Sequence, residues 1–249
     1  MARLGDIVAW CDELLQPNRF RDYCPNGLQV EGREEVRTLV SGVTATQALI
    51  DAALDLNADA ILVHHGYFWR GEDARVIGMR RKRLRSLLAN DLSLIAYHLP
   101  LDAHPEVGNN AQLAARLGLQ FEASLNTEGV GSLGHLAAPM RGVDFAQHIE
   151  RTLGRAPVWV DGGPERIERI AWCTGGAQGY IEQAADAGVD AYLSGEISEQ
   201  TTHVARERGL HYFAAGHHAT ERYGAPALGE RLATRFALTH HFVDIDNPA

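Results

Sequence analysis

Two segments of this chain read as one strand-helix-strand unit used twice, and that repeat restricts the fold more than any other feature of the 249 residues. "LVSGVTATQALIDAALDLNADAILVHHG" (39–66) and "IAWCTGGAQGYIEQAADAGVDAYLSGE" (170–196) align without a gap. Gln47 falls on Gln178, Ile50 on Ile181, Ala53 on Ala184, Asp59-Ala60 on Asp190-Ala191 and Leu62 on Leu193. Each copy reads as an apolar strand, a Gly/Thr turn, an amphipathic helix and a second short apolar strand. "LIAYHLPLD" (94–102) and "YFAAGHHATE" (212–221) align at a second spacing, as a shorter loop in the later copy would produce, so that His98 meets His217 and Asp102 meets Glu221. The expected fold class is α/β, with a first repeat over 1–119, a connecting segment of extra strands and a helix over 120–165, and a second repeat over 166–249 whose last strand can return to the first subdomain.

Composition removes several function classes. At 45% hydrophobic and 22% charged the chain is long enough to bury a real core. A net charge of −9 argues against a general nucleic-acid binder, which needs a basic face to displace counterions from phosphates. Cys11, Cys24 and Cys173 are odd in number and lack metal or redox spacing, which fits a reducing cytoplasm. The opening "MARLGDIVAWCDELLQP" carries acids inside its apolar pattern and reads as an amphipathic helix. No run approaches the ~18 apolar residues of a membrane span.

Histidines gather where the apolar strands end, the place where open α/β sheets hold their ligands. In "AAGHHATERYG" a helix starting near Gly216 puts His217 and Glu221 on one face, with His218 turned by roughly 100°. Such a pair is either a metal-ligand arrangement or a surface ion pair. "ILVHHG" ends another strand, and its extended backbone points His64 and His65 in opposite directions. Two His-His pairs after strands, with His-x-x-x-acid occurring twice, favour the metal reading for the set. His240-His241, inside a terminal strand with no acid at ligand spacing, reads as structural.

"DYCPNGLQVEG", "ILVHHGYFW", "YHLPLDAHPEVGNNAQLA", "SGEISEQTTHVARERGLHYFAAGHHATERYG" and "DIDNPA" together resemble the dinuclear-metal-centre hexameric proteins related to the Ngg-interacting factor. The bacterial branch of that family is described as GTP cyclohydrolase 1 type 2 homologues. The resemblance runs from about Leu4 to the C-terminus. It implies two intertwined α/β subdomains formed by duplication, with mixed sheets flanked by helices, in a toroidal homohexamer. It also implies metal ligands at His64, His65, Asp102, His217 and Glu221, with His98 an adjacent polar residue of the site. Glu196 occupies the position that His65 holds in the first repeat.

Three imidazoles and two carboxylates suit Zn, Fe, Mn, Co or Ni. Five side chains cannot fill two divalent ions, so carboxylates must bridge and open positions remain, as in a catalytic centre. Two ions about 3.5–4 Å apart would bring the pKa of a shared water toward ~7 and supply a nucleophile at neutral pH. The expected function is a metal-dependent hydrolase of a small molecule, GTP cyclohydrolase-like by resemblance, with His98 and Glu196 as the groups able to carry a proton. The alternative is a non-enzymatic metal-binding scaffold or a metal-delivery protein.

Four further stretches have two readings each. "RRKRLR" (80–85) is a solvated helix face or a phosphate clamp. "TGGAQG" (174–179) is a tight turn opening a helix or a phosphate loop, without either of the standard glycine spacings. "PNGLQV" (25–30) is a structural turn or an active-site loop. "YFWRGED" (67–73) closes a core or an oligomer interface, or stacks on a planar base.

Overall fold

The computed structural model describes all of residues 1–249. The chain forms two compact units, Met1–Gly108 with Gly224–Asp246 and Asn109–Tyr223 with Asn247–Ala249. Unit 1 contains β1 (Ala2–Arg3), α1 (Leu4–Leu15), β2 (Gly27–Val30), β3 (Glu35–Val36), β4 (Thr38–Thr44), α2 (Gln47–Asp55), β5 (Ala60–His65), α3 (Gly78–Ala89), β6 (Ser93–Ala96) and α4 (Leu99–Ala103). Unit 2 follows with α5 (Asn109–Leu117), β7 (Leu119–Ser124), β8 (Ser132–Met140), α6 (Gly142–Leu153), β9 (Val158–Val160), β10 (Ile167–Cys173), α7 (Ile181–Asp186), β11 (Ala191–Ser194), α8 (Glu199–Arg208), β12 (His211–Ala214) and α9 (His217–Glu221). The chain then returns to unit 1 as α10 (Gly224–Phe236) and β13 (Thr239–Phe242).

The unit 1 sheet runs β13-β4-β5-β6-β2, parallel except for β2. Its apolar runs are continuous because both faces are covered. Leu39, Leu62 and Ile95 point to one side, against Ile7, Cys11 and Leu15 of α1 and Leu228 and Leu232 of α10. Val40, Ile61, Val63 and Leu94 point to the other, against Leu49, Ile50 and Ala53 of α2 and Leu84 and Leu87 of α3. Each large aliphatic buried this way stabilises the fold by about 1.5–3 kcal/mol relative to exposure.

The unit 2 sheet runs β7-β8-β10-β11-β12-β9, with β10, β11 and β12 parallel and the remainder antiparallel. Ile170, Trp172, Leu193 and Phe213 pack with Phe145, Ile149 and Leu153 of α6 and Leu113 and Leu117 of α5. Residues 120–165 contribute strands and a helix to this unit: most of β7, with β8, α6 and β9.

The two sheets use the repeat in the same way. Leu39 pairs with Ala60 and Val40 with Ile61; at the matching positions Ile170 pairs with Ala191 and Ala171 with Tyr192. Asp59 accepts the Arg37 and Thr38 amides at 2.7 and 3.0 Å, and Asp190 accepts the Glu168 and Arg169 amides at 2.9 and 2.8 Å. A carboxylate thus anchors the start of the leading strand in each unit.

One alignment expectation is corrected. Ala60 pairs with Ser93 as Ala191 pairs with His211, and α4 starts at Leu99 as α9 starts at His217. Structurally, Leu99 corresponds to His217, so His98 overlies Gly216 and Asp102 overlies Thr220, one residue away from the sequence match. The reason is that both strand-to-helix turns have the same length, Tyr97-His98 and Ala215-Gly216, while the histidine stands inside the turn in one unit and opens the helix in the other.

Candidate metal centre

In unit 1 the donors follow the carboxyl ends of the parallel strands β5 and β6. His64 is fully buried at the end of β5. Its Nδ1 lies 3.0 Å from the Tyr97 carbonyl, which can only accept, so Nδ1 carries the hydrogen. Nε2 faces the buried Asp102 Oδ1 at 3.4 Å. A proton on Nε2 or a cation between the two would offset the buried carboxylate. Two ligands bound at ~2.1 Å around a tetrahedral ion stand roughly 3.4 Å apart.

His65 places Nδ1 3.1 Å from Thr44 Oγ1, across the β4–β5 pair. Gly66 ends the strand where a Cβ would lie 2.1 Å from Gln29 Oε1. The Gln29 amide occupies that space, accepting the Tyr67 amide at 2.7 Å and donating to the Pro25 carbonyl at 2.8 Å and the Tyr67 carbonyl at 3.2 Å. It holds the chain as it leaves the histidine pair.

His98 stands beside this pair. Ring centroids are 4.5 Å apart for His64–His65, 5.1 Å for His64–His98 and 5.8 Å for His65–His98. The Nδ1 of His98 is 2.7 Å from Asp22 Oδ1, and its amide donates to Asn26 Oδ1 at 2.7 Å. Asp22 also accepts from the Tyr23 amide, the Asn26 side chain and the Leu99 amide. Burial alone would raise the Asp22 pKa, but the bonds and charge of His98, with Asn26 and the Tyr23 amide, bring it down to about 2. Asn26 belongs to "PNGLQV", the stretch with an active-site-loop reading, whereas nothing local marks Asp22 beyond its place four residues ahead of that asparagine.

Unit 2 supplies a second donor set at the carboxyl ends of β10, β11 and β12. His217 and Glu221, one turn apart on α9, meet with Nε2 and Oε2 3.0 Å apart. The other ring nitrogen, Nδ1, is 2.7 Å from Glu196 Oε1. Burial opposes the charged ring, yet Glu221 and Glu196 outweigh it and push the His217 pKa up to about 9. Gly175 makes room for the carboxylate: a Cβ there would stand 1.8 Å from Glu221 Oε1, at a φ of +68° that favours glycine. Its amide donates to Thr220 Oγ1 at 3.0 Å. Gly175 of "TGGAQG" thus serves close packing against α9.

The other singled-out residues fall into place around these sets. His240 bonds Ser41 Oγ at 2.8 Å across the β13–β4 pair, a structural role. Arg81, Lys82 and Arg85 lie on the exposed face of α3. Tyr67 is buried with its hydroxyl donating to the Ala45 carbonyl at 2.8 Å, and Trp69 sets its edge on His98 at 4.9 Å. Burial first, then the Asp22 charge, push the Cys24 thiol up to about 12, so it offers no thiolate beside His98. The donors remain imidazole and carboxylate, and they fit a borderline divalent cation.

No helix is long and apolar enough to cross a membrane. A 249-residue alignment with a Pseudomonas aeruginosa protein described as a GTP cyclohydrolase 1 type 2 homolog is 61% identical and covers 99% of this chain and 98% of that one. The Escherichia coli K12 protein of the same description is 56% identical over 239 residues, 96% of each. Among solved structures, a protein titled ybgI, of unknown function, superposes with a TM-score of 0.97 at 53% identity over the whole of both chains. A Thermus thermophilus protein does so at 0.91 and 33%, again over both whole chains. Reduced HcgD from Methanocaldococcus jannaschii, at 22% identity and 0.84, shares the fold across 99% of this chain and 98% of its own. The Duf34/NIF3 (NGG1p interacting factor 3) model matches residues 2–248, so the repeated sheets and their strand-end histidines and acids belong to a member of that family.

Proposed function

We propose that the protein binds two divalent metal ions through His64, His65, Asp102, His217 and Glu221 and uses them to hydrolyse a small molecule. The observation that carries the metal reading is the pairing of His64 Nε2 with Asp102 Oδ1 at 3.4 Å, while Nδ1 is committed to a backbone carbonyl. The family resemblance is what unites the two donor sets in one dinuclear centre. Bound there, the ions would supply Lewis acidity and activate water.

The chain's own residues hold that chemistry in place. Glu196 accepts the Nδ1 hydrogen of His217, so its part is to set the tautomer and leave Nε2 for the ion rather than to carry a proton. Asp102 and Glu221 are buried, and their charge is what the cations offset. The printed names of the relatives suggest a purine nucleotide as substrate, with GTP the first compound to try. A cytoplasmic homohexamer completes the proposal.

The test is elemental analysis of purified protein, sedimentation for the oligomer, and a turnover screen with GTP, other nucleotides, phosphoesters and cyclic amides. Two ions per chain and metal-dependent turnover lost in His64→Ala and Asp102→Ala are expected. A fully metallated protein inert across that panel would replace the hydrolase with a metal-binding scaffold. A protein that takes up no divalent ion would overturn both.

A further inference from the structure

We propose that residues 68–88 of unit 1 form one side of a contact between copies of this chain, a basic and apolar face that seats on an acidic surface of the neighbouring subunit. That contact presupposes the homohexamer proposed above and names one face that builds it. Five of the chain's twelve exposed large apolar side chains fall in these 21 residues: Phe68, Val76, Ile77, Met79 and Leu88. An even spread over 249 residues would put about one there. Val76, Ile77 and Met79 are each more than half exposed within four residues, and such a gathering marks a contact surface rather than ordinary scatter.

Phe68 is held outward against a backbone preference. Its φ is +66°, a region uncommon for a bulky residue. Its neighbours are tied down, Tyr67 by its hydroxyl to the Ala45 carbonyl and Trp69 by its indole to the Gly66 carbonyl at 3.2 Å. The ring between them stands beside the Arg80 guanidinium, 5.9 Å from its centroid. Strain of this kind persists only where the surroundings fix it, and it clusters in functional segments.

The charge of the face says what covers it. The stretch holds seven of the chain's 23 basic side chains and two of its 32 acidic ones, a net +5. With −9 for the whole chain, the remainder carries −14. Both acids are used inside the stretch, Asp73 by Arg75 at 2.6 Å and Glu72 by Arg80. Arg81, Lys82 and Arg85 remain exposed on α3, where Arg81, Arg85 and Leu88 stand at i, i+4 and i+7 in one stripe. The helix also starts after Ile77 without a side-chain cap, so its first amides favour an acidic neighbour as well. A nucleic acid would meet the negative remainder of the chain, whereas another copy brings that acidic surplus with it. Two copies of the face cannot meet each other, because like charges repel. The contact is therefore heterologous, this face of one copy against a different surface of the next, the kind of contact that closes rings.

The test is sedimentation velocity of the full chain. Wild type should sediment as the oligomer, and the combined Arg81→Glu, Lys82→Glu and Arg85→Glu variant should fall to smaller species at the same concentration. Met79→Asp should do the same through the apolar part of the face. Arg81→Lys with Arg85→Lys keeps the charge and should keep the assembly. All four positions are exposed, and circular dichroism checks that each variant is folded. Raising NaCl from ~0.1 to ~1 M should weaken wild-type assembly, since the screening length falls from ~10 to ~3 Å. Assembly that tightens instead would mean that like faces meet, and would overturn the head-to-tail contact. Folded charge-reversal and Met79→Asp variants that sediment as wild type would overturn the inference and leave the oligomer standing. So would a charge-reversal variant that keeps its size but loses binding to phosphatidylserine vesicles shown by wild type, which would make the face a membrane contact. A wild-type monomer would defeat the oligomer reading itself and the inference with it.

Discussion

Replacing Gly175 with alanine separates a space-making glycine from an ordinary turn residue. The added Cβ would stand 1.8 Å from Glu221 Oε1, 2.7 Å from Cδ of the same side chain and 3.1 Å from His217 Nε2, so the carboxylate must leave its place. The backbone contributes as well, because φ is +68° and a non-glycine residue in that region costs on the order of 1–2 kcal/mol. Adding the disturbed His217–Glu221 contact, destabilisation of about 2–3 kcal/mol is expected. At roughly 2–4 °C per kcal/mol, that is a fall in Tm on the order of 4–12 °C. Divalent-metal affinity should fall by at least the 10- to 100-fold seen when a ligand's support is removed. Two controls lie in the same stretch. A Cβ on Gly176 would meet the Glu196 carboxylate at 3.5 Å or more, an ordinary contact, and one on Gly179 would meet nothing within 4 Å. Gly179→Ala should therefore leave melting and metal binding at wild-type values, with Gly176→Ala close to it. The assays are calorimetry of the metal-free forms and competitive metal titration. Gly175→Ala with wild-type affinity and Tm, or Gly179→Ala equally damaging, would refute the reasoning.

His217 gives opposite pH trends with and without metal. Its raised pKa of about 9 means that the ion pairs stabilise the metal-free fold fully below the unfolded value near 6.5 and are lost as pH rises through 9, a decline of at most about 3 kcal/mol readable by denaturant titration. Metal must displace that proton, so apparent affinity should climb with pH, up to tenfold per unit below 9; an affinity flat from pH 6 to 8 would exclude His217 as a ligand. Glu221→Ala should take metal content below one ion per chain by elemental analysis, and two retained ions would remove it from the set. Ser41→Ala should lower Tm by a few degrees, matching about 1 kcal/mol for the lost His240 bond, while metal content stays at its wild-type value.

Strand positions could be read from the sequence because parallel strands covered on both faces become continuous aliphatic runs, as in Ala60–Val63 and Ile170–Trp172. The histidines of "VHHG" and the His217/Glu221 pair were visible because each signal is local: a polar pair at the end of an aliphatic run, and a one-turn spacing on a helix. Asp22 was not visible, because its meaning depends on His98, a residue far along the chain that the β2–β6 pairing brings beside it. Gly175 shows the same limit. Its glycine was readable as a turn, but the carboxylate standing over it was not.

The one-residue slip between the repeats carries a chemical consequence. In both units the sequence holds His-x-x-x-acid after a strand, and a residue shift along a helix turns a side chain by roughly 100°. In α9 the histidine is the first helical residue and the acid the fifth, so His217 and Glu221 stack one turn apart and pair with each other. In the first unit the histidine lies just before α4, at φ −96° and ψ −104°, outside the helical repeat. His98 and Asp102 are thereby released from each other, and each takes a tertiary partner: Asp22 for the imidazole and His64 for the acid. The same four-residue spacing thus makes a self-contained donor pair in one unit and joins three chain segments in the other. Moving the histidine to position 99 would put it three residues, rather than four, ahead of Asp102 and would empty the place beside Asp22. A double substitution, His98→Leu with Leu99→His, should accordingly lose the Asp22 bond without gaining the four-residue pairing of α9 and lower the Tm of the metal-free chain, and an unchanged Tm would show that the Asp22 bond does not hold this turn.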